Sequence, residues 1–329
     1  MSLKDKVIDT LKEEAKYLTV KKIYDIAFKR YEKGNYLLEP GLININRINI
    51  KRIEKLIDVS NYKLMTYYYP NNSNKLIIFS HGLMASADDL LPFINYFYNH
   101  GYSCYSFDIK GVGNSTGYNS VGIFEALVDL DNILNYIKKD NELNKKEIYL
   151  FGHSAGAYAV CAILNLHKEI KKVVSISGFN DAYNLIVNKG EFYGGKFAGL
   201  PKKYIYRYQD ELFNEYTKYN AVDGINNIDA KIFLAHAKLD FIIDYDNDSI
   251  IKEKDNIKNK NVIYYIDSLN GHTSILYNED SNIYRKKIDS KIKKMTEEER
   301  IKYISNIDHE LYSKINIILF EKILKFYED

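Results

Sequence analysis

Tryptophan is absent from the 329-residue chain, and cysteine is limited to two copies, Cys104 and Cys161. Both lie inside apolar runs, "YSCYSF" and "AVCAIL". They read as buried reduced thiols. No histidine stands at ligand spacing from either, so a zinc cage is excluded, and no other metal-ligand cluster or cofactor is expected. Long apolar runs are also missing: none approaches the ~20 residues of a membrane span. The start, "MSLKDKVIDTLKEEAKYL", is charged throughout and has no apolar core of signal-peptide length. An excess of one charge is lacking too, with 46 Lys+Arg against 44 Asp+Glu. That balance gives no electrostatic reason to expect nucleic acid or an anionic membrane as a partner. A soluble, cytoplasmic protein is the expectation. Its oligomeric state is left open.

What the chain does have is apolar content, 46% of its residues. That suffices for one large core, or for a domain carrying an insertion. Residues 3–33 read as a helix with Val7, Ile8, Leu11, Ala15, Leu18, Ile23, Ile26, Ala27 and Tyr31 apolar, stopped by Gly34. This N-terminal extension (1–35) is expected to pack on the main domain, because its apolar stripe needs a partner. Beyond Asn49 the pattern changes. "INIKRIEKLIDVS" and "YKLMTYYYP" read as a strand pair. "KLIIFSHG", "YSCYSFDIKG", "EIYLFG", "KKVVSISGF", "KIFLAHA" and "NVIYYIDSL" read as strands, several of them apolar on both faces. Helical stretches such as "SVGIFEALVDLDNILNYIKK" and the final "HELYSKINIILFEKILKFY" alternate with them. Such alternation predicts a mostly parallel central sheet with helices on both faces, an α/β fold, built from 36–178 and 230–329. Two stretches interrupt it. Residues 179–229 form an insertion, and 273–306 a charged one whose "RKKIDSKIKK" and "TEEER" blocks are expected to be solvated helix faces.

The stretch "LFGHSAGAY" (150–158) carries the chemistry. A strand ends at Phe151, and a helix starts almost at once. A serine at the tip of so sharp a turn is strained, and its flanks must be very small. Gly152 and Gly156 meet that demand on either side of Ser154. The hydroxyl then sits above the sheet edge at a helix N-terminus, where free N–H groups favour negative charge. A serine needs a base, and the base an orienting acid. In this arrangement the acid precedes the histidine along the chain. His81, His100, His153 and His167 come too early or flank other elements, and His236 precedes the preferred acid. His272, in "SLNGHTSIL" after the last strand, is the base; His309 reads as solvated or capping. Asp240, just past the strand "KIFLAHA", is the preferred acid. Asp181 in "GFND" stays a plausible alternative, and Asp244, Asp246 and Asp248 read as loop or capping residues. The backbone N–H groups of Ala155 and Leu83 are the candidate oxyanion donors, Gly82 allowing close approach. His81 would brace that loop.

These residues resemble the α/β-hydrolase superfamily over roughly residues 50–275 and the last helix. The likeness rests on "HGLMAS" (81–86), "FDIKGVGNSTG" (107–117), "GHSAG" (152–156), "HAKLDFII" (236–243) and "NGHTS" (270–274). It implies the α/β-hydrolase fold with Ser154 as nucleophile, Asp240 as acid, His272 as base, and Leu83 and Ala155 as oxyanion donors. Asp108, in the loop "DIKGVGNS", is structural by the same likeness. Residues 179–229 would be a helical lid, rich in Tyr and Phe, with Gly190, Gly194, Gly195 and Gly199 as hinges. The expected reaction is cleavage of a carboxylic ester, of a small molecule with an apolar acyl or aryl group, through an acyl-enzyme. Peptidase, thioesterase and acyltransferase chemistry share the same triad, and a non-catalytic ligand-binding relative shares the fold.

Overall fold

Strands that are apolar on both faces need cover on both sides, and the central strands have it. The computed structural model describes residues 2–30, 41–118, 120, 122–188 and 200–329. Eight strands, β1 (Ile53–Val59), β2 (Tyr62–Tyr69), β3 (Lys75–Ser80), β4 (Ser103–Phe107), β5 (Glu147–His153), β6 (Lys172–Ile176), β7 (Lys231–Ala237) and β8 (Val262–Asp267), form one sheet. Their order is β1-β2-β4-β3-β5-β6-β7-β8. The first two form the expected antiparallel pair, and β2 meets β4 antiparallel. From β4 to β8 every pairing is parallel. The helices are α1 (Leu3–Ala27), α2 (Leu91–Asn99), α3 (Glu125–Lys139), α4 (Ala155–Ala162), α5 (Ala182–Asn188), α6 (Lys202–Phe213), α7 (Ala221–Asn226), α8 (Glu279–Ile292), α9 (Glu297–Ile304), α10 (His309–Tyr312) and α11 (Ile317–Glu328).

Side chains alternate across a strand, so β3 divides its apolar residues between two cores. Leu76 and Ile78 join α3 and α4 on one face. Ile77 and Phe79 join α2 and α11 on the other. The helix α3 shows why the sequence pattern was readable: Leu127, Leu130, Leu134 and Ile137 recur at helical spacing and are all fully buried. The chain crosses from β3 to β4 on one side and later places β5 on the other. That reversal opens a crevice at the carboxyl ends of β3 and β5, where ligands of open α/β sheets bind.

Three expectations need correction. The N-terminal helix does pack, but through Tyr17, Val20 and Tyr24, while Val7, Ile8, Leu11, Leu18 and Ile26 stay exposed. It lies against α6. Tyr208 donates to Asp25 at 2.6 Å, Tyr204 donates to Glu13 at 2.5 Å, and the Arg207 guanidinium sits 3.8 Å over the Tyr17 ring. Aromatic rings with polar tips made that face the sticky one, not the aliphatic stripe. The helix ends at Ala27; positions 31–35 of the proposed extension lie outside the described residues, as do the four hinge glycines. The final helix is two, α10 and α11, because the Asn316 side chain caps a fresh start by accepting from the N–H of Leu319. The charged insertion is not wholly solvated: Ile288, Ile292, Ile304 and Tyr312 make a small core, and Arg285 is buried with its guanidinium 3.8 Å over the Tyr277 ring.

The seam between α1 and α6 should therefore resist substitution on one side of α1 only. Tyr24→Ala is expected to lower unfolding free energy by about 3–5 kcal/mol. Leu11→Ala, on the exposed side, should change it by less than about 0.5 kcal/mol. Urea denaturation of the two variants checks the contrast.

Candidate active site

At the end of β5 the backbone of Ser154 takes φ 59° and ψ −120°. A residue with a side chain is strained in that region. Its neighbours hold it there. A Cβ on Gly156 would lie 2.0 Å from the carbonyl oxygen of Ser80, and one on Gly152 would lie 2.3 Å from that of Gly156. The Ser154 N–H donates to the Ile176 carbonyl at 3.0 Å, and the Ser154 carbonyl accepts from Tyr158 at 3.1 Å. The turn is thus pinned to β6 on one side and to α4 on the other.

The loop after β3 closes on this serine. A Cβ on Gly82 would stand 3.1 Å from the Ser154 Cβ and 3.6 Å from its Oγ. The His81 ring is fully buried, and Nδ1 donates to the Gly82 carbonyl at 2.8 Å. Nε2 accepts from the Ile109 N–H at 3.2 Å. Burial pushes the His81 imidazole below its ordinary value against the pull of Asp108, so both bonds fit one neutral tautomer. The bracing role expected of His81 is met. The Gly82 carbonyl and the Leu83 N–H belong to one trans peptide and point oppositely. Holding the first therefore aims the second. Ala155 opens α4, and its N–H is one of the unpaired donors of a first turn. Asp108 is structural: it accepts from the N–H groups of Ala87 and Asn114 and from the Tyr67 hydroxyl, each at 2.9 Å.

Asp240 follows β7, and His272 follows β8. His272 Nδ1 donates to Asp240 Oδ2 at 2.7 Å. Asp240 Oδ1 accepts from the N–H groups of Ile242 and Ile243, each at 2.9 Å. Burial opposes ionisation of this carboxyl, but His236, His272 and the Ile243 N–H outweigh it and hold it well below the usual range. The alternative acids are engaged elsewhere. Asp181 caps its own turn through the Tyr183 N–H at 2.8 Å, and Asp244 accepts from Asn247 at 2.9 Å. Among the described residues Asp240 is the carboxylate bonded to His272. His309 is not solvated: it is buried, and Nδ1 donates to the Gly41 carbonyl at 3.0 Å.

Ser154, His272, Leu83 and Ala155 line one cavity of about 190 Å³. Its other walls are mostly apolar, among them Met84, Phe93, Ile123, Leu185 and Ile242. Ser154 Oγ and His272 Nε2 form no hydrogen bond with each other or with any other described residue, so both face the cavity uncommitted. Such pairs often tighten only with substrate in place. No group of three or more His, Cys, Asp or Glu among the described residues could hold a metal ion.

Three supporting residues escaped the sequence reading. His153 was set aside as too early in the chain, yet its Nε2 donates to the His272 carbonyl at 3.0 Å and its ring lies 4.9 Å from the His272 ring. Burial, followed by the neighbouring His272 ring, pushes it down to about 3, so it stays neutral. The Ser177 hydroxyl donates to the same carbonyl at 3.0 Å. Arg30, from the N-terminal extension, donates to the carbonyls of Gly113, Ser115 and Gly117. Of these, His153 alone had a local signal, its place inside "GHSAG".

The depressed Asp240 carboxyl carries a pH signature. Its ionised form stabilises the fold above the unfolded carboxyl value near 4, and this contribution fades as pH falls through the lower folded value. Asp240→Asn should therefore be less stable than wild type at pH 7, with the gap closing on acidification below about pH 4. Thermal melts of both proteins across that range check the sign.

Comparison with known proteins agrees with this fold. The serine aminopeptidase S33 family model matches residues 71–209, a span that includes Leu83 and Ser154 and stops before Asp240 and His272. An uncharacterised protein of Acanthamoeba polyphaga mimivirus is 27% identical over 232 residues, covering 66% of this chain and 71% of its own. Among solved structures, an esterase of Pyrococcus furiosus superposes with TM-score 0.56 at 22% identity, covering 77% of this chain and 92% of its own. The α/β hydrolase GrgF of a Penicillium species gives TM-score 0.53 at 15% identity, over 75% and 99%. By its sheet order, its elbow and these likenesses, the chain has the α/β-hydrolase fold.

Proposed function

We propose that the protein is a serine hydrolase that cleaves carboxylic esters. One observation carries this reading: a serine held at strained φ shares an apolar cavity with an imidazole already bonded to a buried carboxylate. With Nδ1–H given to Asp240, the His272 Nε2 is the proton acceptor. It takes the Ser154 proton as Oγ attacks the acyl carbon. Asp240 stays ionised and stabilises the imidazolium. The oxyanion meets the N–H groups of Leu83 and Ala155. The imidazolium returns its proton to the leaving alcohol. Water, deprotonated by the same nitrogen, then releases the acid and frees Ser154. The apolar walls favour an apolar acyl or aryl group. Phe179 and Leu185, from the insertion between β6 and β7, form part of those walls, which supports its reading as a lid. No helix among the described residues is long and apolar enough to cross a membrane.

A second reading, cleavage of aminoacyl amides, is favoured by the serine aminopeptidase model. The two differ in leaving group, not in residues. Ser154→Ala should abolish turnover with an unchanged melting curve, and a fluorophosphonate should label wild type but not the variant. Rates on paired aryl ester, thioester and aminoacyl anilide substrates sort the classes, with the ester expected to be fastest. Retained activity in Ser154→Ala would overturn the assignment.

A further inference from the structure

Besides Thr273 and the two supporting histidines, the apolar cavity carries two polar side chains that the reaction does not use. Asp89 lies in the first turn after the oxyanion loop, and Tyr277 lies five residues past His272; both line the cavity. Asp89 Oδ2 closes a capping box, accepting from the Ser86 N–H at 2.6 Å and its hydroxyl at 3.1 Å. Oδ1 has no hydrogen bond to a described residue. The carboxyl is crowded by protein, yet part of its surface remains open. The Tyr277 hydroxyl has none to a described residue either; the residue is 2% exposed, and its ring is clamped between Phe93, 5.7 Å away, and the Arg285 guanidinium, 3.8 Å away. Phe93 is one helical turn on from Asp89, so the two polar groups share one wall. Burial, followed by the Asp89 charge, drives the phenol well above its usual value. Burial likewise pushes the Asp89 carboxyl up to about 6 in spite of its two Ser86 donors.

In a largely apolar cavity, an acceptor and a donor that no described residue engages are open to whatever enters it. A hydroxyl can accept from the phenol and donate to the carboxylate at once; an ammonium can only donate. We propose that Asp89 and Tyr277 form a subsite for a hydroxyl group on the substrate, so that the preferred ester carries a hydroxylated acyl or alcohol chain. This rests on the serine-hydrolase reading for turnover, but binding alone can test it.

The probes are p-nitrophenyl octanoate, its positional monohydroxy analogues and the corresponding amino analogues, all at pH 8. Binding is measured by calorimetry on Ser154→Ala, and kcat/KM on the wild-type protein. At least one hydroxy ester should bind roughly tenfold tighter than plain octanoate, the discrimination a site built for a hydroxyl can exceed. Adding Tyr277→Phe should bring that ratio to about one. So should Asp89→Asn, which keeps an oxygen for the capping box and turns a donor toward the cavity. The proposal is overturned if no hydroxy ester outbinds the plain one, if the ratio survives both substitutions, or if the amino series binds tightest. A protein that shows the binding preference but no turnover or fluorophosphonate labelling would sink the hydrolase reading and leave the subsite standing.

Discussion

The approach of the Gly156 α-carbon to the Ser80 carbonyl is the contact on which the site depends. It lets α4 begin directly above the end of β3, and so brings the serine turn against the loop that follows that strand. A methyl group there would lie 2.0 Å from the carbonyl oxygen. Cores absorb such intrusions only by shifting backbone, at about 1–3 kcal/mol or more. Here the backbone that would shift is the one that carries Leu83 and Ala155. Strain at Ser154 is therefore not a local accident of its dihedral angles. Bonds to β6 and α4 hold the turn, and the central pairing of β3 with β5 holds the platform beneath it.

This explains which parts of the molecule were legible in the sequence. The elbow could be read because its requirement is steric and local: two glycines, a serine, an apolar strand before and a helix after. Alternation of strands and helices could be read for the same reason, since each amphipathic period refers to its own element. Asp240 and His272 were found by chain order, and they meet because β7 and β8 are neighbours in the sheet. The failures share a different cause. The aliphatic stripe of α1 promised a buried face, but the partner helix α6 offered tyrosines and arginine, and the helix turned its tyrosines inward to meet them. His309 looked solvated because nothing near it in sequence announces that the Gly41 carbonyl will arrive. Break and restart at Asn316 are local in geometry, yet the pattern of "INIILF" continues the helix smoothly. In each case the deciding partner lies far away along the chain.

The extension and the insertion thus have a structural logic the motifs do not supply. From the N-terminal extension, α1 covers α6 and Arg30 reaches three carbonyls of the loop 113–117. That loop is tied through Asp108 to Ala87, at the start of the turn leading into α2. A continuous path of hydrogen bonds therefore runs from the extension to the elements flanking the loop after β3. Guanidinium is suited to the task because its planar fork can satisfy several carbonyls at once.

The distribution of protons among the imidazoles gives the site its direction. Four histidines gather here, and three have Nε2 already engaged. His81 accepts from Ile109, His153 donates to the His272 carbonyl, and His236 donates to the Ile243 carbonyl at 2.9 Å. Burial keeps His81 and His153 from charging. His272 alone has Nδ1 committed to a carboxylate and Nε2 free beside the cavity. A ring nitrogen that already donates to a carbonyl, or accepts a buried N–H, has no lone pair to offer, whereas the His272 Nε2 has one. The same fold thus leaves four chemically identical side chains in two states, three with Nε2 engaged and one with it free beside the cavity.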